Sequence, residues 1–376
     1  MKLEFQEYQA RKIINIHRHV DPWFWNKYSA HPYIGCRSGC DFCYLRGGYY
    51  LGKSDPGTFD TLIQVKMNAA ELLRRDMARL EPAVIACGDW QQPAEARYQL
   101  SRRMLEVVAE FGWPLFVVER SPLLTRDLDV LVEINRQAWV GAVFSLSNVD
   151  SSLKQTFEPR SPGIKRRLQA MERLAQAGIL TGVSLMPIIP FVGDDEAHLT
   201  DAVRATHSHG GAFVLAGGLS MAGVQAERTI AAARQLDPAL EPRWRQLYGW
   251  SESGPPSYSP PPAYTARLGL QVRELCARYG LKDRMPRYIL PGPLAVNKRL
   301  AEYLFLKLYE LELAQTSPQR LWAYRKAAWT VDECSESLAE VYRLHGEAGL
   351  RRLPDIGPSI AGEMAKWLQK SELTKL

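Results

Sequence analysis

The sequence has no apolar run of bilayer length. Its nearest approach, Gly178 to Gly193, is 16 residues long and is interrupted by Pro187 and Pro190, which excludes a helical membrane span there. The opening stretch MKLEFQEYQARKII is charged throughout and lacks the apolar core of a secretory signal, so the expected compartment is the cytoplasm, with no membrane partner. Cysteine is scarce. Three of the six are clustered (Cys36, Cys40, Cys43) and three are scattered (Cys87, Cys276, Cys334), which is not the framework of a small disulfide-built domain. The basic excess is modest: a formal charge of +6 permits an acidic partner without demanding one.

What is present reads as a large globular protein. Of the 376 residues, 46% are hydrophobic and 23% charged, enough to bury a sizeable core. From about residue 30 to 216, short β-branched or aromatic stretches alternate with longer amphipathic ones. The strand candidates are 31–36, 83–87, 114–119, 139–146, 180–186 and 212–217. Helix candidates include 61–80, 96–111 and 162–178, the last closing on Gly178. Six such units in series predict an α/β fold, a parallel sheet curled into a partial (β/α)6 barrel, with its chemistry at the C-terminal ends of the strands.

The texture changes near residue 251, where SESGPPSYSPPP packs five prolines into twelve residues. Helical segments follow, with Ser317 and Pro318 suited to start one and TVDE after Thr330 suited to start another. The expected division is a core of residues 1–315 and a small all-α domain of 316–376.

The stretch GCRSGCDFCYLR places Cys36, Cys40 and Cys43 within eight positions. A structural zinc site uses four ligands in two pairs, and no second pair follows. A redox pair, Cys40 with Cys43, leaves Cys36 unexplained. Three thiolates suit a 4Fe–4S cluster whose fourth iron is left open to a small molecule. Gly35 and Gly39 let the backbone turn tightly around such a core. The scattered cysteines read as small buried apolar residues.

The CxxxCxxC spacing, with Phe42 before the last cysteine and a barrel-like βα series around it, resembles the radical SAM superfamily. The resemblance implies a 4Fe–4S cluster whose open iron binds S-adenosylmethionine, and reductive cleavage to a 5′-deoxyadenosyl radical. It also implies an electron donor such as flavodoxin or ferredoxin. PYIGCRSGCDFCYLR, residues 158–179 and GVSLMPIIPFVGDD are similar to the spore photoproduct lyase-like group, over roughly residues 30–315. Carried over residue by residue, Cys36, Cys40 and Cys43 are cluster ligands. Tyr44, Leu45 and Ser145 fall at cofactor-facing positions. Arg120 stands where the lyases carry a lysine toward the cofactor carboxylate. Gly88 and Asp89 occupy the place of a Gly-Gly-Glu run that is absent here. Cys87 lies where a lyase cysteine returns hydrogen to the substrate radical; the alternative is a buried core cysteine.

The ending LRRLPDIGPSIAGEMAKWL looks like a helix-hairpin-helix, with Gly357 expected to take the turn angle and Ser359, Arg351, Arg352 and Lys366 flanking it. Such modules hold DNA backbones without reading sequence. Charge gives this region little help: residues 317–376 carry nine Lys or Arg against eight Asp or Glu. Among weaker signals, HRHVDPWFW (17–25) reads as a plug for the barrel base, THSHGG as a helix end, Glu158 and Arg160 as a polar pair, and Trp322, Trp329 and Trp367 as core of the small domain.

Together these features imply a radical SAM enzyme acting on DNA by repair or base modification. Two rivals stand beside it. One is a radical enzyme on RNA, peptide or metabolite, with the hairpin as an interaction module. The other is a non-catalytic iron–sulfur DNA-binding protein.

Overall fold

In the computed structural model, residues 3–47, 51, 55–88, 90–251 and 258–373 are described. They fall into two compact units. The first comprises Met1–His17 and Asn26–Met285, and the second Arg18–Trp25 and Pro286–Leu376.

The first unit is built on an open sheet. Six strands run parallel: β3 (Tyr28–Ala30), β6 (Ile85–Gly88), β7 (Leu115–Glu119), β8 (Val140–Leu146), β9 (Leu180–Ile188) and β10 (Phe213–Gly218). A short strand, β2 (Ile14–Ile16), pairs antiparallel with β3 at one edge. A separate three-stranded sheet joins β1 (Glu4–Tyr8), β5 (Leu62–Lys66) and β4 (Tyr33–Ile34). The α/β fold with a parallel sheet is as expected. The first strand is not: the expected 31–36 splits into the end of β3, a turn, and β4 of the small sheet. The expected helix at 61–80 is half strand, because LIQVK pairs as β5.

The helices of this unit are α1 (Ala69–Met77), α2 (Glu95–Tyr98), α3 (Leu100–Phe111), α4 (Leu128–Gln137), α5 (Ser151–Phe157), α6 (Ile164–Gln176), α7 (Glu196–Ser208), α8 (Gly223–Leu236), α9 (Leu240–Leu247) and α10 (Pro262–Arg278). One sheet face is covered by α1, α3, α4, α6, α7 and α10, whereas α8 and α9 share a second core with Cys40 and Phe42 of the cysteine loop. α6 shows the logic. Ile164, Leu168, Met171 and Leu174 recur at helical spacing and are buried, each fully buried side chain contributing about 2 kcal/mol. Gly178 follows with φ 79° and stops the helix. Likewise α7 ends before Gly210, at φ 75°, so THSHGG is a helix end. Across the sheet, Cys87, Val117, Ala142, Phe144, Val183 and Val214 share one core with Leu105, Leu131, Leu168, Val203 and Val272 of the helices. Alternation puts Ala86, Gly88, Val118, Ser145 and Ser184 on the opposite face, where small side chains leave room.

The second unit is helical: α11 (Ala295–Leu313), α12 (Pro318–Glu333), α13 (Leu338–Leu350) and α14 (Pro358–Leu373). α11 packs along α12, and α13 against α14. This moves the expected boundary at 315/316 to Met285/Pro286, since α11 shares its apolar face with α12. TVDE starts no helix; Thr330 lies inside α12, which runs to Glu333. Of HRHVDPWFW, read above as a plug for the barrel base, His17 falls in the first unit and Arg18–Trp25 in this one. The ring of His19 stacks on Trp329 at 4.2 Å, and Trp25 meets Phe305 edge-on at 5.7 Å. Trp322 is 53% exposed and so is not core.

Candidate functional site

The cysteine loop leaves β4 just past the C-terminal end of β3. Two glycines shape it: Gly35 at φ 87° and Gly39 at φ 55°, both left-handed. A Cβ on Gly35 would meet the carbonyls of Leu62 and Phe59. The Cys36 N–H donates to the Phe59 carbonyl at 2.9 Å, Gly39 N–H to Cys36 at 3.2 Å and Cys43 N–H to Cys40 at 3.2 Å. Cys36 and Cys40 are buried and Cys43 half-buried. None of the six cysteines forms a disulfide. Among the described residues, no three His, Cys, Asp or Glu side chains gather as a single metal ion requires. Three thiols on a glycine-turned loop instead fit a larger inorganic core, where each sulfur meets a different iron.

Buried ionic groups stand against this loop. Glu158, 1% exposed, follows α5 and accepts hydrogen bonds from Arg120 at 3.0 Å, Arg167 at 2.6 Å, Ser147 at 2.7 Å and Ser161 at 2.7 Å. Burial pushes the Glu158 carboxyl up, but Arg120 and Arg167 with these hydrogen bonds outweigh it and hold the group down at about 2. The Arg120 guanidinium also lies 5.4 Å over the Phe42 ring. Burial raises the Cys40 thiol to about 12; Arg120 opposes that rise, and Glu158 adds to it.

On the other side of the loop, Arg46 and Arg160 both reach Asp60, and the Arg37 guanidinium donates to the Asp60 carbonyl at 3.4 Å. Arg228 pairs with Asp41 at 2.9 Å. Glu158 and Arg160 are therefore not partners of each other. Arg160 goes to Asp60, while Glu158 is held by Arg120 and Arg167.

The remaining expected residues are placed as follows. Tyr44 and Leu45 lie on a single 3-10 turn, Tyr44–Arg46, with Tyr44 50% exposed. Ser145 sits beside Ser184 in register on the small-residue face, and its carbonyl accepts from Arg167 at 3.0 Å. Gly88 ends β6 on that same face, its carbonyl 3.4 Å from His31 Nδ1. Asp89 lies outside the described residues. Cys87 is 2% exposed and lies on the helix-covered face, within the main core. This placement is that of the core-cysteine alternative: strand alternation puts Gly88, not Cys87, on the small-residue face. Burial, with Glu119 beside it, raises its thiol well above the usual range.

In the second unit, Arg351, Arg352, Gly357 and Ser359 are exposed around one turn and Lys366 is exposed in the middle of α14, while Ile356, Ile360, Ala361 and Met364 are buried. The left-handed residue of the turn is Asp355, at φ 60°, and not Gly357 as expected. Gly357 instead keeps the start of α14 bare, with nothing within 4 Å of where a Cβ would stand.

Sequence reasoning missed Arg46, Asp60 and Arg167. A signal existed for Arg167, a cation at i+3 within the apolar stripe of α6. None existed for Asp60, whose partners are distant in sequence.

No family model matches the chain. The uncharacterized protein Rv2578c of Mycobacterium tuberculosis is 31% identical over 261 residues, 68% of this chain and 75% of that protein. The uncharacterized protein MJ0683 of Methanocaldococcus jannaschii is 26% identical over 195 residues, 52% and 71% of the two chains. Among solved structures, spore photoproduct lyase complexed with dinucleoside spore photoproduct aligns with TM-score 0.54 at 15% identity, over 74% of this chain and 81% of that one. A mutant of the lyase with bound AdoMet and the same dinucleoside aligns with TM-score 0.55, at the same identity and coverage. The chain thus belongs to one family with the mycobacterial Rv2578c protein, and it has the fold of spore photoproduct lyase.

Proposed function

We propose that this protein is a radical SAM enzyme that acts on DNA. One observation carries the reading: Cys36, Cys40 and Cys43 share a glycine-turned loop at the C-terminal ends of six parallel strands. Those thiolates would hold a 4Fe–4S cluster, and S-adenosylmethionine would sit on the small-residue face near Gly88, Ser145 and Arg120. When bound, the pair supplies a one-electron cleavage that generates a 5′-deoxyadenosyl radical. The chain's part is to bind, orient and exclude water. Arg120 keeps a positive charge beside Phe42, and Glu158 fixes that guanidinium in place. The electron comes from a small reducing protein of the flavodoxin or ferredoxin kind.

Two features support DNA as substrate. Arg37, Arg160 and Arg228 ring the cysteine loop, the last two each 38% exposed along the side chain. The exposed Arg351–Ser359 turn offers backbone N–H groups and cations of the sort that hold phosphates. Repair or modification of a base then requires that base to leave the stack.

The test is anaerobic reconstitution with iron and sulfide. Broad visible absorbance, lost when Cys36, Cys40 and Cys43 become Ala, and 5′-deoxyadenosine release on reduction are expected. A colourless protein that takes up zinc overturns the reading. Binding to damaged and undamaged oligonucleotides, weakening steeply with salt, tests the substrate class; no retention at low salt removes DNA from it.

A further inference from the structure

One side chain ties the cysteine loop together. Arg46 is 1% exposed. Its Nη2 donates to the Gly39 carbonyl at 3.0 Å, Nε to the Cys40 carbonyl at 3.5 Å, and Nη1 to Asp60 Oδ1 at 3.3 Å. The guanidinium lies 4.9 Å over the Phe59 ring, and the Phe59 carbonyl holds the Cys36 N–H. The backbone of Arg46 closes on the Cys43 carbonyl at 3.3 Å. All three cysteines are therefore linked to this residue, Cys40 and Cys43 through their own carbonyls and Cys36 through Phe59.

The clamp has a second jaw. Asp60, 4% exposed, also receives Arg160, and a Cβ on Gly39 would collide with that guanidinium. Gly39 thus lies between two guanidiniums that share one carboxylate. Burying a guanidinium is costly unless its donors find acceptors and its charge a partner. Here it has both, and all of them are protein groups. Many metal loops gain their shape only from the metal; the contacts of this one need none.

We propose that Arg46 is a positioning residue that builds the cysteine loop in the metal-free protein, so that the loop receives its inorganic core preformed. The proposal rests on the radical SAM reading only for what the loop receives. The order of the loop belongs to the apoprotein.

The experiment uses full-length apoprotein and measures iodoacetamide labelling of each cysteine by mass spectrometry. The readout is the labelling rate of Cys36 and Cys40 divided by that of Cys87 and Cys276, which are 2% and 1% exposed and report global opening. Arg46→Met raises this ratio about tenfold or more, the scale of losing hydrogen bonds to a charged group. Arg46→Lys keeps the charge without the planar fork and raises it less. Removing a positive charge by itself raises thiol pKa values and slows labelling, so acceleration reports an opened loop. An unchanged ratio in both variants overturns the proposal. Where Arg46→Met unfolds the whole chain, Arg46→Lys decides: a selective rise at Cys36 and Cys40 supports the clamp, and a uniform rise or none overturns it. Failure of the wild-type protein to take up iron, alongside a raised ratio in the variants, sinks the radical SAM reading and leaves the clamp standing; normal wild-type uptake with a flat ratio in the variants does the reverse.

Discussion

Arg120 donates to the buried carboxylate of Glu158 at 3.0 Å while lying over the ring of Phe42, the residue before Cys43. A cation one residue past β7 thereby touches both the cysteine loop and an anion that follows α5. Arg167, fully buried, completes the group from α6. Two βα units, those of β7 and β8, are joined at the strand ends by one carboxylate.

Glu158→Gln leaves Arg120 and Arg167 facing a neutral amide. Breaking a buried pair this way costs about 3–5 kcal/mol. Urea unfolding of the apoprotein should show the loss, and a change below about 1 kcal/mol would mean that the network is solvated and unimportant. The same carboxyl is held at about 2, below its ordinary value near 4.3. Its folded-state pKa is depressed, so its stabilisation is present above about pH 4.3 and is lost as pH falls toward 2.

His31 gives a second acid sensitivity at higher pH. Burial first, then the Lys66 ammonium, lower its imidazole to about 4; the Lys66 amine donates to the His31 carbonyl at 2.8 Å. The unfolded chain takes up a proton near pH 6.5 and the folded chain does not. Stability is then complete above about pH 6.5 and declines as pH drops toward 4. Denaturant midpoints at about pH 7 and pH 5 should differ more for the wild type than for His31→Gln. Equal differences count against a buried neutral imidazole.

Cys87→Ala removes one buried atom from the core and should cost about 1–2 kcal/mol in unfolding experiments. Cofactor cleavage in the reconstituted protein should persist, since the thiol lies on the helix-covered face. Retained stability together with lost deuterium transfer into a product would place the thiol in the chemistry after all.

Asp355 holds the left-handed position of the C-terminal turn. Asp355→Gly relieves that backbone and should be neutral or stabilising by up to about 1 kcal/mol, against loss of the ion pair with Lys326. Asp355→Val forces a β-branched residue there and should destabilise by about 1–2 kcal/mol. Matching thermal shifts for the two variants would show that the turn adopts another conformation.

Local chemistry made much of this protein legible. The cysteine spacing marked the loop, and Gly35 and Gly39 do take the angles their positions required. Five of the six parallel strands lie where short β-branched runs predicted them. The first did not, because 31–36 divides between two sheets, and only pairing partners decide that. LIQVK could be read as helix since its apolar residues suit either period until β1 and β4 flank it.

The sequence by itself determined the trio of cysteines, the βα alternation and the glycine stops, because each is set by spacing within a few residues. Tertiary structure alone decided which way Cys87 points, that Glu158 belongs to Arg120 and Arg167, that Arg46 clamps the loop through Asp60, and where the two units divide. Strand periodicity says that two faces exist, but not which one the helices cover. Ion pairs between residues such as Arg120 and Glu158 form only once the chain has brought distant segments together, and nothing in either local segment encodes the meeting.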